Sequence, residues 1–169
     1  LQTREQHNRR EPATPNICTD EVLLAVMAAL YAVWHGPEGL RRIARRVHRL
    51  TAICAAGLRI AGCEVVTEAF FDTLTVRVPG RAAQVLASAR DHDLDLRPID
   101  ADHLGLTFDE TSTPAVVAAV LAVFGATAVA VAEVEALDAA VVDAIPADAA
   151  RRSEFCTHPV FHSHRSETE

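Results

Sequence analysis

From Val22 to Trp34 the chain has no polar face. Thr19 just before it has the side chain of an N-cap, and Asp20 and Glu21 suit the positive end of a helix dipole. The pattern predicts a helix running to His35 and stopping at Gly36-Pro37. A helix without a polar face is expected to be buried on nearly all sides, which hints at burial against something outside this chain. The next stretch, Pro37 to Ala61, is amphipathic. Leu40, Ile43, Ala44, Val47, Leu50, Cys54, Leu58 and Ala61 recur at helical spacing, and Arg41, Arg42, Arg45, Arg46 and Arg49 fall largely on the other side. Gly62 is a suitable stop.

The period then shortens to two. Glu64–Ala69 is a candidate strand, and Thr73–Val78 alternates, with Leu74, Val76 and Val78 facing one way and Thr75 and Arg77 the other. Pro79-Gly80 ends it. Arg81–His92 reads as a helix with Val85, Leu86 and Ala89 inward. Leu96–Asp100 and Leu104–Asp109 read as strands joined by a polar turn at Ala101–His103. Thr113-Pro114 opens a helix that ends near Gly125. Residues 126–150 are rich in Ala and Val and suggest a strand or loop, then a short helix near Leu137–Ala144 broken at Pro146. This order predicts an α+β sandwich, a small antiparallel or mixed sheet covered on one face by helices. The domain would span 20–150, with 1–19 an extended connector interrupted by Pro12 and Pro15, and 151–169 a polar tail. No internal repeat is present.

Composition narrows the chemistry. Half of the 169 residues are hydrophobic but only 5% aromatic, so the core is expected to consist of aliphatic side chains. A net charge of −7 argues against a duplex nucleic-acid partner. All 16 basic residues are arginine. Arginine does not deprotonate in proteins, so no side chain here can form a Schiff base, and chemistry that needs a nucleophilic lysine must take it from elsewhere. The four cysteines (Cys18, Cys54, Cys63, Cys156) lack C-x-x-C spacing and read as free thiols of a reducing compartment. Leu1–Arg10 does not look like a signal sequence, and Val22–Trp34 is shorter than the ~20 residues that span a bilayer. The expectation is a soluble, cytoplasmic bacterial protein without membrane contact.

Four stretches carry a family resemblance. TREQHNRREPATPNICT (Thr3–Thr19), HGPEGLRRIARRVHRLTA (His35–Ala52), FFDTLTVRVPGRA (Phe70–Ala82) and THPVFHSHRSETE (Thr157–Glu169) resemble, in order, segments in the N-terminal half of the glycine cleavage system P-protein. The resemblance covers nearly the whole chain. It departs where Asn8, Pro12 and Pro15 replace an apolar residue, a lysine and a serine, and where His162-Ser163-His164-Arg165 follows the HPVF motif.

The resemblance implies a pseudo-dimer of two aminotransferase-like halves, with this chain at the end of the N-terminal half. It would include the small C-terminal domain of a fold-type I pyridoxal-phosphate enzyme. The implied activity is glycine dehydrogenase (aminomethyl-transferring, decarboxylating), an oxidoreductase that passes an aminomethyl group to the lipoyl-carrying H-protein. Pyridoxal phosphate and its lysine belong to the other half, so the isolated chain is expected to bind no cofactor and be inactive. Its partners would be the remaining parts of P-protein and the H-protein.

The candidate contacts have alternatives. Arg4, Arg9 and Arg10 with Asn16 either orient a carboxylate or phosphate or belong to a solvated connector. Thr157, His158 and Phe161 are expected to contact the neighbouring half. His158, His162 and His164 beside Cys156 superficially resemble a zinc site, but a polar tail preorganises ligands poorly and no metal is expected. The arginines of the second helix either meet an acidic partner or form a solvated face paired with acids. Asp91, Asp93, Asp95, Asp100 and Asp102 lack calcium-loop spacing and read as solvated loop acids. No phosphate-cradling glycine loop or Gly-x-Ser-x-Gly elbow is found, and no catalytic residue is expected. The alternative is a free-standing regulatory or small-ligand-binding α/β domain, which would melt cooperatively where an excised piece would aggregate.

Overall fold

The computed structural model describes residues 19–126, 134, 137–138, 141–142, 144–166 and 168, with side chains from Glu21 onward. Two compact units divide the chain. One contains the helix up to Leu40 and the residues from Glu154 onward; the other is Arg41–Ser153.

Helix α1, Thr19–Ile60, contains a break. Gly36 adopts φ 61° and ψ −179°, so two helical arms meet at that residue. Glycine accepts the positive φ without a Cβ clash, and Pro37 is tolerated in the first turn of the second arm because an N–H there would have no helical acceptor. The pattern had placed a stop and a start at these two residues.

The larger unit holds a four-stranded antiparallel sheet in the order β1 (Glu64–Val65), β2 (Thr73–Arg77), β4 (His103–Thr107), β3 (Arg97–Pro98). The register sets Leu74 against Leu106 and Val76 against Leu104. Because side chains alternate, this puts Leu74, Val76, Val78, Leu104, Leu106 and Phe108 in the core. Thr73 and Thr107 pair across the other face, their hydroxyls 3.1 Å apart. The edge strands β1 and β3 are two residues long, and β3 contains Pro98. Both are shorter than the alternation implied. Val66 still donates its N–H to the Thr75 carbonyl, while a turn occupies Asp100–Asp102.

Helices α2 (Ala82–Asp91) and α3 (Pro114–Val123) and the second arm of α1 supply the rest of the core. Val47, Leu50, Cys54 and Leu58 are buried as their spacing predicts, but Thr51, Ala52, Ile53 and Ala55 are buried too, so the stripe is wider. Ala61, placed on that stripe, is exposed because the helix has ended at Ile60. In α2, Val85 and Ala89 are buried and Leu86 is half-buried. Burying each Leu or Val side chain contributes about 1.5–3 kcal/mol. Gly57 lets α1 approach α3 closely, since a Cβ there would lie 2.8 Å from both terminal methyls of Leu121. The Thr113 hydroxyl caps α3 by accepting the Val116 N–H at 3.3 Å.

In the smaller unit, the first arm of α1 is exposed from Glu21 to Tyr31 and again at Trp34, with Leu23 and Leu24 each 65% exposed and Leu30 62%. Its sequence predicted burial on nearly all sides, and nothing described in this chain supplies it. By length and composition α1 passes as a helix able to cross a bilayer. The apolar run nevertheless stops at Gly36, and arginines follow from Arg41. Of the helix expected near Leu137–Ala144, Leu137 and Asp138 are helical, whereas Val141, Val142 and Ala144 are not; residues 139, 140 and 143 lie outside the described residues.

Candidate functional site

The segment expected to be a plain polar tail is folded into a turn. Cys156 takes a positive φ of 52°. His158 Nδ1 accepts the Val160 N–H at 3.2 Å, and the His158 carbonyl accepts the Phe161 N–H at 3.1 Å. A short helix, α4 (Val160–Ser163), follows with Pro159 at its start. His162 Nε2 donates to the Cys156 carbonyl at 3.0 Å, and the Ser163 hydroxyl donates to the Pro159 carbonyl at 2.9 Å.

Arg165 ties this turn to the helix break. Its guanidinium donates to the carbonyls of Val33 at 2.7 Å, Trp34 at 3.2 Å and Phe161 at 2.8 Å. The Val33 carbonyl would ordinarily bond the N–H four residues on, but that residue is Pro37, which has none. The arginine fork supplies the missing donor. Gly36 is needed a second time here, because a Cβ on it would come within 2.5 Å of the Phe161 carbonyl and 2.7 Å of the guanidinium. Beside this junction runs an open groove of about 750 Å³ lined mainly by Met27, Leu30, Tyr31, Trp34, Val160 and His164.

Three features of the larger unit concern chemistry. His48 is buried with both ring nitrogens engaged: Nδ1 donates to the Phe71 carbonyl at 2.9 Å and Nε2 accepts the Ala144 N–H at 3.1 Å. Its ring stacks on Phe71 at 6.1 Å. Arg46 donates to the carbonyls of Glu110 at 2.9 Å and Ser112 at 2.6 Å, and Arg49 to the Val141 carbonyl at 2.6 Å and to the Asp138 carboxylate. Those two arginines serve the protein's own loops, and the half-exposed Arg49–Asp138 pair adds at most about 1 kcal/mol. The Cys54 thiol is pushed well up by burial and, secondarily, by Cys63, which is itself raised by burial. Neither is a ready nucleophile.

The aspartates have structural work. Asp100 accepts the N–H groups of Asp102 and His103, both at 2.8 Å. One oxygen of Asp109 takes the side chains and N–H groups of Thr111 and Ser112, and these donors, the hydroxyls foremost, hold its carboxyl below the usual range. Sequence reading left Asp100 among solvated loop acids and did not single out Asp109; the Asp-x-Thr-Ser spacing of an Asx turn was the available signal.

Of the sequence-derived candidates, His158 and Phe161 share one turn and Thr157 is exposed just before it. Arg4, Arg9, Arg10 and Asn16 lie outside the described residues. Arg165, which organises the junction, was not singled out for that role. Among the described residues no three His, Cys, Asp or Glu side chains group to hold a metal. The arrangement binds backbone carbonyls and presents an apolar surface; among the described residues it assembles no nucleophile with a base.

A family model for the glycine cleavage system P-protein matches residues 1–124. Along its whole length the chain is 57% identical to a glycine dehydrogenase (decarboxylating) of Stenotrophomonas maltophilia strain R551-3 and covers 17% of that protein. The same identity and coverage hold for the corresponding protein of Xanthomonas euvesicatoria pv. vesicatoria strain 85-10. Among solved structures, the crystal structure of a glycine decarboxylase (P-protein) of the glycine cleavage system in inhibitor-bound form is similar with a TM-score of 0.58 at 25% identity, over 73% of this chain and 30% of that one.

Proposed function

The chain belongs to the glycine cleavage system P-protein family, and from that premise we propose that it is a non-catalytic, interface-forming portion of a decarboxylating glycine dehydrogenase. The observation that carries this reading is 57% identity, along all 169 residues, to enzymes of that name. The chain spans only 17% of their length, so the catalytic machinery has room elsewhere.

The parent enzyme would decarboxylate glycine and transfer the aminomethyl group to the lipoyl arm of H-protein in the bacterial cytoplasm. Pyridoxal phosphate, the coenzyme of this family, is held through a primary amine. This chain has no lysine to supply that amine, so its residues do not fit the coenzyme. Its own work is positional. Residues 1–19 connect to the preceding domain, 20–150 form the small domain, and 151–169 lead onward, with Arg4, Arg9, Arg10, Asn16, Thr157, His158 and Phe161 lining the crevice between halves. The folded turn at His158–Phe161, fixed by Arg165, supports the last part of this reading.

The test compares residues 1–169 with the full-length polypeptide. Loaded with pyridoxal phosphate and desalted, the full-length protein should retain the coenzyme's absorbance and exchange the glycine carboxyl with labelled bicarbonate. The chain alone should do neither. Exchange by the chain alone would overturn the division of labour.

A further inference from the structure

We infer that Arg165 is a positioning residue of the parent enzyme: it sets the turn that carries Thr157, His158 and Phe161 in the place where that turn lines the crevice. That the turn lines a crevice rests on the family reading above; that Arg165 sets it follows from the contacts of the turn itself. The turn has little of its own to fix it. Helix α4 is four residues long, shorter than a helix sustains alone. The segment opens at Cys156 with a φ of 52°, a left-handed backbone that a residue with a Cβ rarely adopts. Its local bonds, Phe161 N–H to the His158 carbonyl, His162 N–H to the Pro159 carbonyl and His162 Nε2 to the Cys156 carbonyl, close the turn on itself without setting where it sits.

The guanidinium sets it. Nη2 donates to the Phe161 carbonyl at 2.8 Å, while Nη1 donates to the carbonyls of Val33 at 2.7 Å and Trp34 at 3.2 Å, 132 and 131 positions away in the chain. The acceptors belong to α4 on one side and to the end of the first arm of α1 on the other. Carbonyls at helix ends carry partial negative charge, so the two sets would repel if brought together alone. A cation between them makes the approach favourable, and the planar fork aims one nitrogen at each set. The fit is close, since even a Cβ on Gly36 would come within 2.7 Å of Nη2. Lysine carries the same charge at a single point and does not reproduce the fork.

The experiment compares full-length polypeptides, unsubstituted and carrying Arg165→Met, Arg165→Lys or Arg165→Ala. Deuterium uptake at the backbone of Val160, Phe161 and His162 should be about tenfold faster in Arg165→Met, while the peptide containing Leu74 and Val76 keeps its rate. In glycine–bicarbonate exchange the same variant should lose about tenfold in kcat/KM through a raised KM for glycine, because the turn orients without reacting. Arg165→Lys should recover only a minor part of that loss. Millimolar methylguanidinium should stimulate Arg165→Ala and leave the unsubstituted protein unchanged. Unaltered uptake in Arg165→Met overturns the inference, and so does faster uptake with kcat/KM fully retained, which would reduce Arg165 to a structural tether. If the unsubstituted protein exchanges no bicarbonate, the activity falls and the deuterium comparison alone decides whether Arg165 sets the turn.

Discussion

The two arms of α1 differ by what the rest of the chain offers them. From Arg41 onward the helix lays Val47, Leu50, Cys54 and Leu58 against a sheet and two helices of its own unit, and those side chains are buried. Before Gly36 an even more apolar sequence stays exposed. Hydrophobicity alone therefore does not distinguish them. An amphipathic stripe is matched to a surface of its own chain, whereas a helix apolar all round needs surfaces on every side, more than a unit of this size supplies.

The contrast can be broken by substitution, and the largest effect belongs to the satisfied side. Leu74→Ala in β2, whose side chain is fully buried, should cost about 2–5 kcal/mol in urea unfolding followed by circular dichroism. Next comes Gly57→Val. With Leu121 already 2.8 Å from the position of a Cβ, overpacking should cost about 1–3 kcal/mol by the same measurement. Thr113→Ala removes the cap of α3 and should cost about 1 kcal/mol. Leu30→Ala, despite the size of the residue, should move the unfolding of the isolated chain by less than about 0.5 kcal/mol, because the side chain leaves solvent for solvent. A loss there as large as that at Leu74 would erase the distinction between the arms.

A smaller effect depends on pH. The Asp109 carboxyl is lowered from 3.8 by its bonds to Thr111 and Ser112. A depressed carboxyl contributes stability that is present above its unfolded value and lost as pH falls through the folded one. Acid unfolding should therefore steepen below pH 3.8, and Asp109→Asn should flatten that limb and lower the neutral-pH melt, where the ionised carboxylate's contribution is present.

The sequence made the elements readable wherever a period was clean. Leu74-Thr75-Val76-Arg77 told the core face of β2, and Thr113-Pro114 told the start of α3, because each signal is local. The short edges were not legible, since pairing ends where a partner strand ends. The turn at Cys156–Ser163 was missed for a similar reason: its bonds come from His158 accepting an N–H and from His162 and Arg165 reaching carbonyls, none of which a period announces. The candidate contacts Thr157, His158 and Phe161 were found through resemblance, whereas Arg165 would have required knowing that Pro37 leaves the Val33 carbonyl unserved.

The brevity of β1 and β3 bears on how this chain would fail outside its parent. An unpaired strand edge recruits other strands, and long flat edges seed fibrils. Here each margin offers two residues, and Pro98 lacks an N–H to donate. Misassembly of the excised polypeptide would thus proceed through sticky helices and give amorphous, thioflavin-negative precipitate rather than ordered cross-β deposits.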